Sequence, residues 1–278
     1  IQGAILLIES AIMVLPIATA LIYRETSGVW FFYTALAAAI CGFAAMKLSK
    51  PRTKTIYAKE GLITVALGWI VLSLVGALPF TLSGEIPFYL DAVFEMISGF
   101  TTTGSSILPN VEALSRCMLL WRSFSHWLGG MGILVFMLAI VKMEGGQGIH
   151  LLRAESPGPT VGKMVPRMVD SSKILYTIYF ALTLVQVVFY LAGGMPLFDS
   201  LCNAFATAGT GGFSIKADSF ASYSMYAQTV TTIFMALFGV NFSIYFFLLQ
   251  KKFDLAFKNT ELRWYVGIIL FSIAMITA

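Results

Sequence analysis

Six long apolar runs constrain this chain more than any other feature, at residues 1–23, 29–48, 61–82, 118–141, 173–192 and 226–250. Each is close to the ~20 residues a helix needs to cross the hydrocarbon of a bilayer. Only 12% of the 278 residues are charged, against about 25% in a typical soluble domain, so the pattern is that of an integral membrane protein. Backbone in lipid must satisfy its own hydrogen bonds, and runs of this length do so as helices. The expected class is therefore all-α. Glu9 and Pro16 in the first run predict that it packs against protein along one side. The final run, "WYVGIILFSIAMITA", stops before it could cross, and the chain starts at Ile1 without the basic leader of a signal peptide. The sequence accordingly reads as part of something longer.

Two further apolar stretches, "IPFYLDAVFEMISGF" and "MPLFDSLCNAFATAG", are too short to cross and too apolar for exposed loops. Their length predicts re-entrant segments. The basic residues agree. Connectors 47–59, 142–173 and 251–263 carry fourteen Lys and Arg, whereas the opposite connectors carry only Arg24, Arg116 and Lys216. That asymmetry holds only if both short segments enter and leave on the same side. The basic side is then cytoplasmic and the short segments dip in from outside. This distribution accounts for the net charge of +4, so no nucleic-acid partner is expected. Cys41, Cys117 and Cys202 are far apart with no CxxC pair, which predicts free thiols and no metal site.

The order span, dip, span occurs twice, and an offset of 108 residues superposes the dips without a gap. Asp91 falls on Asp199, Thr102 on Thr210, Gly104 on Gly212 and Ser106 on Ser214, so "TTTGSS" (101–106) corresponds to "GTGGFS" (209–214). A third copy starts at Leu262. The implied organisation is two leading helices with a basic connector (1–60), a first helix–pore loop–helix repeat (61–142), a cytoplasmic connector (143–172), a second repeat (173–250), and the start of a third (251–278). A helix that dips, stops at a glycine-rich extended stretch and returns leaves carbonyls without helical partners. Such backbone must be shielded by protein or line a wet cavity. Glycine permits the backbone angles that turn carbonyls toward an axis, and a ring of such oxygens can replace the hydration shell of an alkali cation. Asp91 and Asp199 are placed to cap the short helices. The hydroxyls of Thr101 and Ser106 read either as ligands or as local caps.

Other polar residues have two readings each. His126 in "FSHWLGG" reads as a structural hydrogen-bonding residue, with a proton relay as the alternative; Arg122 reads as a partner of Glu95 behind the pore loop. "LGGMGI" (128–133) reads as close helix packing, with a hinge as the alternative. Asn241 and Ser243 are candidates to line a cavity below the dips. "GGQG" in the second connector lacks the ending of a phosphate loop.

The segments "FEMISGFTTTGSS", "RSFSHWLGGMGI" and "NAFATAGTGGFSIKADSF" resemble the membrane subunit of Trk-type potassium uptake systems, in the Trk/Ktr/HKT superfamily. The resemblance covers nearly the whole chain. It implies four helix–pore loop–helix repeats around one potassium pathway in the cell (inner) membrane, with half of them in this sequence. Thr102, Thr103, Gly104 and Ser105 would form one quarter of a selectivity filter, and Thr210, Gly211, Gly212 and Phe213 the next. The resemblance also implies potassium as the transported substrate, no covalently bound cofactor, a homodimer, and a cytoplasmic nucleotide-binding regulatory subunit. Competing expectations are a sodium-selective or non-selective cation relative, an intramembrane hydrolase using a serine with His126, and a non-conducting scaffold.

Overall fold

A computed structural model describes residues 2–48, 58–132 and 168–277. Every regular element among them is helical. The chain opens with α1 (Gln2–Ile12), α2 (Val14–Tyr23) and α3 (Gly28–Leu48). The first repeat follows as α4 (Ala58–Ser83), α5 (Tyr89–Phe100), a 3-10 turn at Val111–Ala113, and α6 (Arg116–Met131). The second comprises α7 (Met168–Ala192), α8 (Leu197–Ala208), α9 (Met225–Phe238) and α10 (Phe242–Leu249). A short α11 (Phe253–Phe257) leads into α12 (Thr260–Thr277).

Five of these segments are long and apolar enough to cross a membrane: Gln2–Tyr23, Gly28–Leu48, Ile63–Ser83, Lys173–Ala192 and Thr260–Thr277. The first is interrupted at Met13, because Pro16 has no N–H to offer the Ile12 carbonyl. The last run is longer than expected: helix begins at Thr260 rather than Trp264, which gives it 18 residues. Large apolar side chains such as Leu21, Ile22, Phe32, Ile40 and Phe43 lie outside. A surface that apolar suits acyl chains, not water.

The second inner span departs from the expected continuous helix at 226–250. It breaks after Phe238, and α9 and α10 meet at a bend of 86°. The helix stops at Gly239, and Asn241 restarts it by accepting from the Ser243 amide at 2.9 Å. Carbonyls freed at the break find tyrosines: Tyr265 donates to Ala236 O at 3.0 Å and Tyr245 to Leu237 O at 2.6 Å. Asn241 also donates to Glu261 at 2.9 Å. Its side chain thus both caps α10 and holds Glu261. The first inner span is α6, whose predicted continuation to 141 lies outside the described residues, as do most of the two basic connectors at 49–57 and 133–167.

Aromatic packing joins the leading helices to the first repeat. Phe31 and Phe100 both meet the Trp121 ring edge-on, at 6.0 and 6.2 Å between centroids, and Trp121 Nε1 donates to Gly76 O at 3.0 Å. Glu25, in the α2–α3 turn, accepts from the amides of Arg116 and Cys117 at 2.8 and 2.9 Å. Glu85 accepts from the Ser115 amide and hydroxyl, both at 2.7 Å. Two carboxylates at the amino end of α6 satisfy amides that no helical carbonyl reaches, and complement the positive end of its dipole.

Candidate selectivity filter

The 108-residue offset holds to the residue in the two short helices. α5 spans Tyr89–Phe100 and α8 spans Leu197–Ala208, so both their starts and their ends superpose. The backbone that follows repeats as well. Thr102 and Gly104 have φ of 55° and 77°; Thr210 and Gly212 have 58° and 82°. A β-branched residue in the left-handed region is a genuine outlier, costing about 1–3 kcal/mol, and persists only where its surroundings impose it. Here the helix ends impose it. The Thr102 amide donates to Gly99 O at 3.0 Å and the Thr103 amide to Ser98 O at 2.9 Å, the paired closure that requires a left-handed residue just past the helix. At the end of α8 the first of these two bonds recurs, with the Thr210 amide donating to Thr207 O at 2.9 Å.

Along the first segment exposure alternates: Thr101, Thr103 and Ser105 are exposed, while Thr102 and Gly104 are half-buried. The hydroxyl of Thr101 is held locally, by Ile97 O at 2.7 Å and the Thr103 hydroxyl at 2.8 Å. Ser106 Oγ donates to Glu95 at 2.9 Å. The Thr101 hydroxyl thus closes the end of α5 locally, and that of Ser106 is committed to Glu95. The Phe213 side chain is buried, which leaves only its carbonyl for a ligand role. Asp91 and Asp199 sit in the first turns of α5 and α8, but the capping positions are Phe88 and Pro196 and neither makes a side-chain cap bond. Asp199 instead accepts from Tyr223 at 2.9 Å. The expected carboxylate caps are absent because both acids lie inside the helix rather than before it.

The two segments touch. A Cβ on Gly104 would lie 1.6 Å from the Gly211 carbonyl oxygen, and one on Gly211 would lie 2.4 Å from Thr102 O. Gly212 has nothing within 4 Å of such a position, so in this chain its backbone angle alone asks for glycine. On that side lies a cavity of about 390 Å³ lined by Thr207, Thr210, Gln228, Thr231 and Thr232, among others.

One helix seats both segments. On α6, Ser125 and Gly129 face the first: Ser125 Oγ would be 2.1 Å from a Cβ on Gly99, and a Cβ on Gly129 would be 2.3 Å from Phe100 O. Arg122, His126 and Gly130, one turn apart in succession, face the second. A Cβ on Gly130 would fall 3.0 Å from Gly209 Cα and 2.4 Å from the Tyr179 hydroxyl. "LGGMG" is therefore a packing surface, and α6 ends at Met131 with Gly132 at φ 73°. His126 is fully buried, its ring 4.2 Å from that of Phe213. Both of its nitrogens lack a hydrogen-bond partner among the described residues, contrary to the hydrogen-bonding role expected of it. Among the described residues no serine hydroxyl bonds to it, and Ser125 donates to Arg122 O at 2.7 Å.

Arg122 and Glu95 form a buried ion pair, as expected from sequence. Its connections go further than the pair. Glu95 also accepts from the Ile107 amide at 3.1 Å, while Arg122 Nη1 donates to Ser214 O at 2.7 Å and its guanidinium lies 3.6 Å from the Phe213 ring centroid. One end of the pair thus grips the first segment and the other end the second. Buried charges require this kind of complete pairing. Tyr223, in the loop beyond the second segment, has its hydroxyl pKa raised by burial.

The sequence profile of the TrkH cation transport protein family matches residues 30–264. The chain belongs to that family. It is 35% identical to the Trk system potassium uptake protein TrkH of Salmonella typhimurium over 281 residues, covering 100% of this chain and 58% of that protein. It is 32% identical to an uncharacterized cation transporter of Methanocaldococcus jannaschii, covering 91% of this chain and 52% of the other. The crystal structure of the potassium transporter TrkH from Vibrio parahaemolyticus superposes with a TM-score of 0.81 at 29% identity, covering 98% of this chain and 56% of that one. The chain thus spans just over half the length of these TrkH-family relatives. It is a multi-pass membrane protein of all-helical fold. Sequence reasoning missed Glu25, Glu85 and the gripping of both segments by one ion pair. The amides that Glu25 and Glu85 accept from, and the carbonyl that Arg122 reaches, lie 30 to 92 residues away, beyond any local spacing signal.

Proposed function

We propose that this chain supplies half of the pathway of a Trk-type potassium uptake subunit. In this reading, Thr102, Thr103, Gly104 and Ser105 form one quarter of the filter and Thr210, Gly211, Gly212 and Phe213 the next. The supporting observation is the repeated backbone: two segments with left-handed residues at matching positions, each closing a helix of re-entrant length, packed against each other. Successive carbonyls on such segments can replace the water around a desolvated potassium ion. The carboxyl ends of α5 and α8, the negative ends of their dipoles, each lead directly into one of the two segments. Ions enter from outside and leave toward the basic cytoplasmic face, drawn inward by about 2.3 kcal/mol per charge per 100 mV of membrane potential. The role is transport, not catalysis, and the ion is substrate, with no covalent cofactor. The same reading brings two partners with it, a second copy of the subunit and a cytoplasmic nucleotide-binding regulatory subunit.

The test places the complete natural protein containing this sequence in liposomes and measures rubidium uptake against potassium and sodium as competitors. Potassium is expected to compete far better than sodium. Folded protein that takes up no rubidium, with or without its regulatory partner, refutes conduction. Equal competition refutes the potassium assignment alone.

A further inference from the structure

Gly209 and Gly211 lie against one side chain on a different helix. A Cβ on Gly211 would come 1.8 Å from His126 Nε2, and one on Gly209 would come 2.9 Å from His126 Cδ2 and 2.6 Å from its carbonyl oxygen. The imidazole also meets the Phe213 ring at 4.2 Å. His126 is therefore in contact with three of the five residues 209–213, from the side facing α6. It is completely buried, and neither nitrogen is committed to a hydrogen bond among the described residues. Its position is set from outside the segment: Arg122, one turn earlier, is pinned by Glu95 and by Ser214 O, and Gly130, one turn later, is pressed onto Gly209.

We infer that His126 is a specificity-determining positioning residue, the backstop that fixes how far the carbonyls of the second quarter can recede from the ion. The inference rests on the filter assignment above. Discrimination between potassium and sodium depends on the distance and stiffness of the oxygens around the ion. A backbone rich in glycine has little stiffness of its own. The rigid ring behind 209–211 supplies what the segment lacks, and the glycines there are small because the ring is close.

Truncating His126 opens space directly behind the segment without touching any group that could face the ion. The test compares wild type, His126→Ala and His126→Gln in the complete protein, using the ratio of sodium to potassium concentrations that halve rubidium uptake. The alanine variant is expected to lower this ratio at least tenfold, equivalent to about 1.4 kcal/mol of lost discrimination. Glutamine, which refills part of the space, should fall between. A purely structural role predicts fewer active molecules with an unchanged ratio, and a ratio within twofold of wild type in both variants overturns the inference. If a variant is folded but inactive, the rise in melting temperature with potassium and with sodium is read instead. Equal loss of the two shifts overturns the inference, and selective loss of the potassium shift supports it. Failure of the wild type to take up rubidium would refute the filter assignment, a result distinct from either.

Discussion

Gly104→Ala and Gly84→Ala share the same backbone penalty but not the same surroundings, which makes the pair a measure of how tightly the segments at 101–106 and 209–214 are packed. Both glycines have a left-handed backbone, with φ of 77° and 79°. An L-residue there costs roughly 1–2 kcal/mol. Gly84 sits between α4 and α5 with nothing within 4 Å of its Cβ position, so alanine pays the backbone term and nothing else. At Gly104 the new methyl would sit 1.6 Å from the Gly211 carbonyl oxygen. A carbon approaches a carbonyl oxygen no closer than about 3.3 Å, so the segments must part by roughly 1.7 Å. A displacement that large exceeds the tolerance of any site that selects ions by oxygen distance. Gly84→Ala should lower the melting temperature by a few degrees and leave potassium-over-sodium discrimination in the liposome assay unchanged. Gly104→Ala should abolish discrimination in whatever folded protein survives. Equal melting temperatures and equal selectivity in the two variants would refute the argument, because the close approach to Gly211 would then be energetically irrelevant.

Three further outcomes follow from the same contacts. Glu95→Gln leaves the Arg122 guanidinium buried without its counter-charge, a change that typically costs about 3–5 kcal/mol, so the yield of monodisperse protein should collapse. Glu95→Gln combined with Arg122→Met should recover more folded protein than Glu95→Gln alone, though not selectivity. Glu25→Gln and Glu85→Gln each weaken the cap on α6 by about 0.5–2 kcal/mol, read as lower melting temperatures with retained uptake. Tyr265→Phe removes the donor to Ala236 O at the α9–α10 break and should cost about 1 kcal/mol of stability, with no effect on ion preference.

The helices and the repeat were legible because they depend on local pattern. Apolar run length sets a crossing helix, and the fixed spacing of Asp91 and Asp199, Thr102 and Thr210, and Gly104 and Gly212 matched the helix bounds residue for residue. The break after Phe238 was hidden for the same reason. It lies in "FMALFGVNFSIYFFLL", where hydropathy stays high on both sides and a lone glycine is a weak stop signal. What restarts the helix on a new axis is the Asn241 cap, and what makes the break tolerable in an apolar setting is two tyrosines, one of them 29 residues away. The roles of Glu25 and Glu85 were equally invisible, since each acts on amides supplied by a different turn of the chain.

The repeat specifies backbone, and the inner helix specifies what differs between its copies. The inner helices are capped at Ser115 and Ser224, 109 residues apart, so the positions on α6 that grip the second segment, Arg122 and His126, correspond to Thr231 and Met235, neither of them charged. Glu95 corresponds to Asn203, which forms no ion pair. The charged clamp therefore exists once among the described residues, at the junction between the first and second segments. A pore built from near-identical quarters would treat them as interchangeable, so that any substitution would act alike in each. Here an ion pair between α5 and α6 and an imidazole on α6 bind two neighbouring segments into one unit, whereas α9 presents Thr231 and Met235 at the matching positions. Side-chain chemistry thus makes the two segments inequivalent where their backbones are alike.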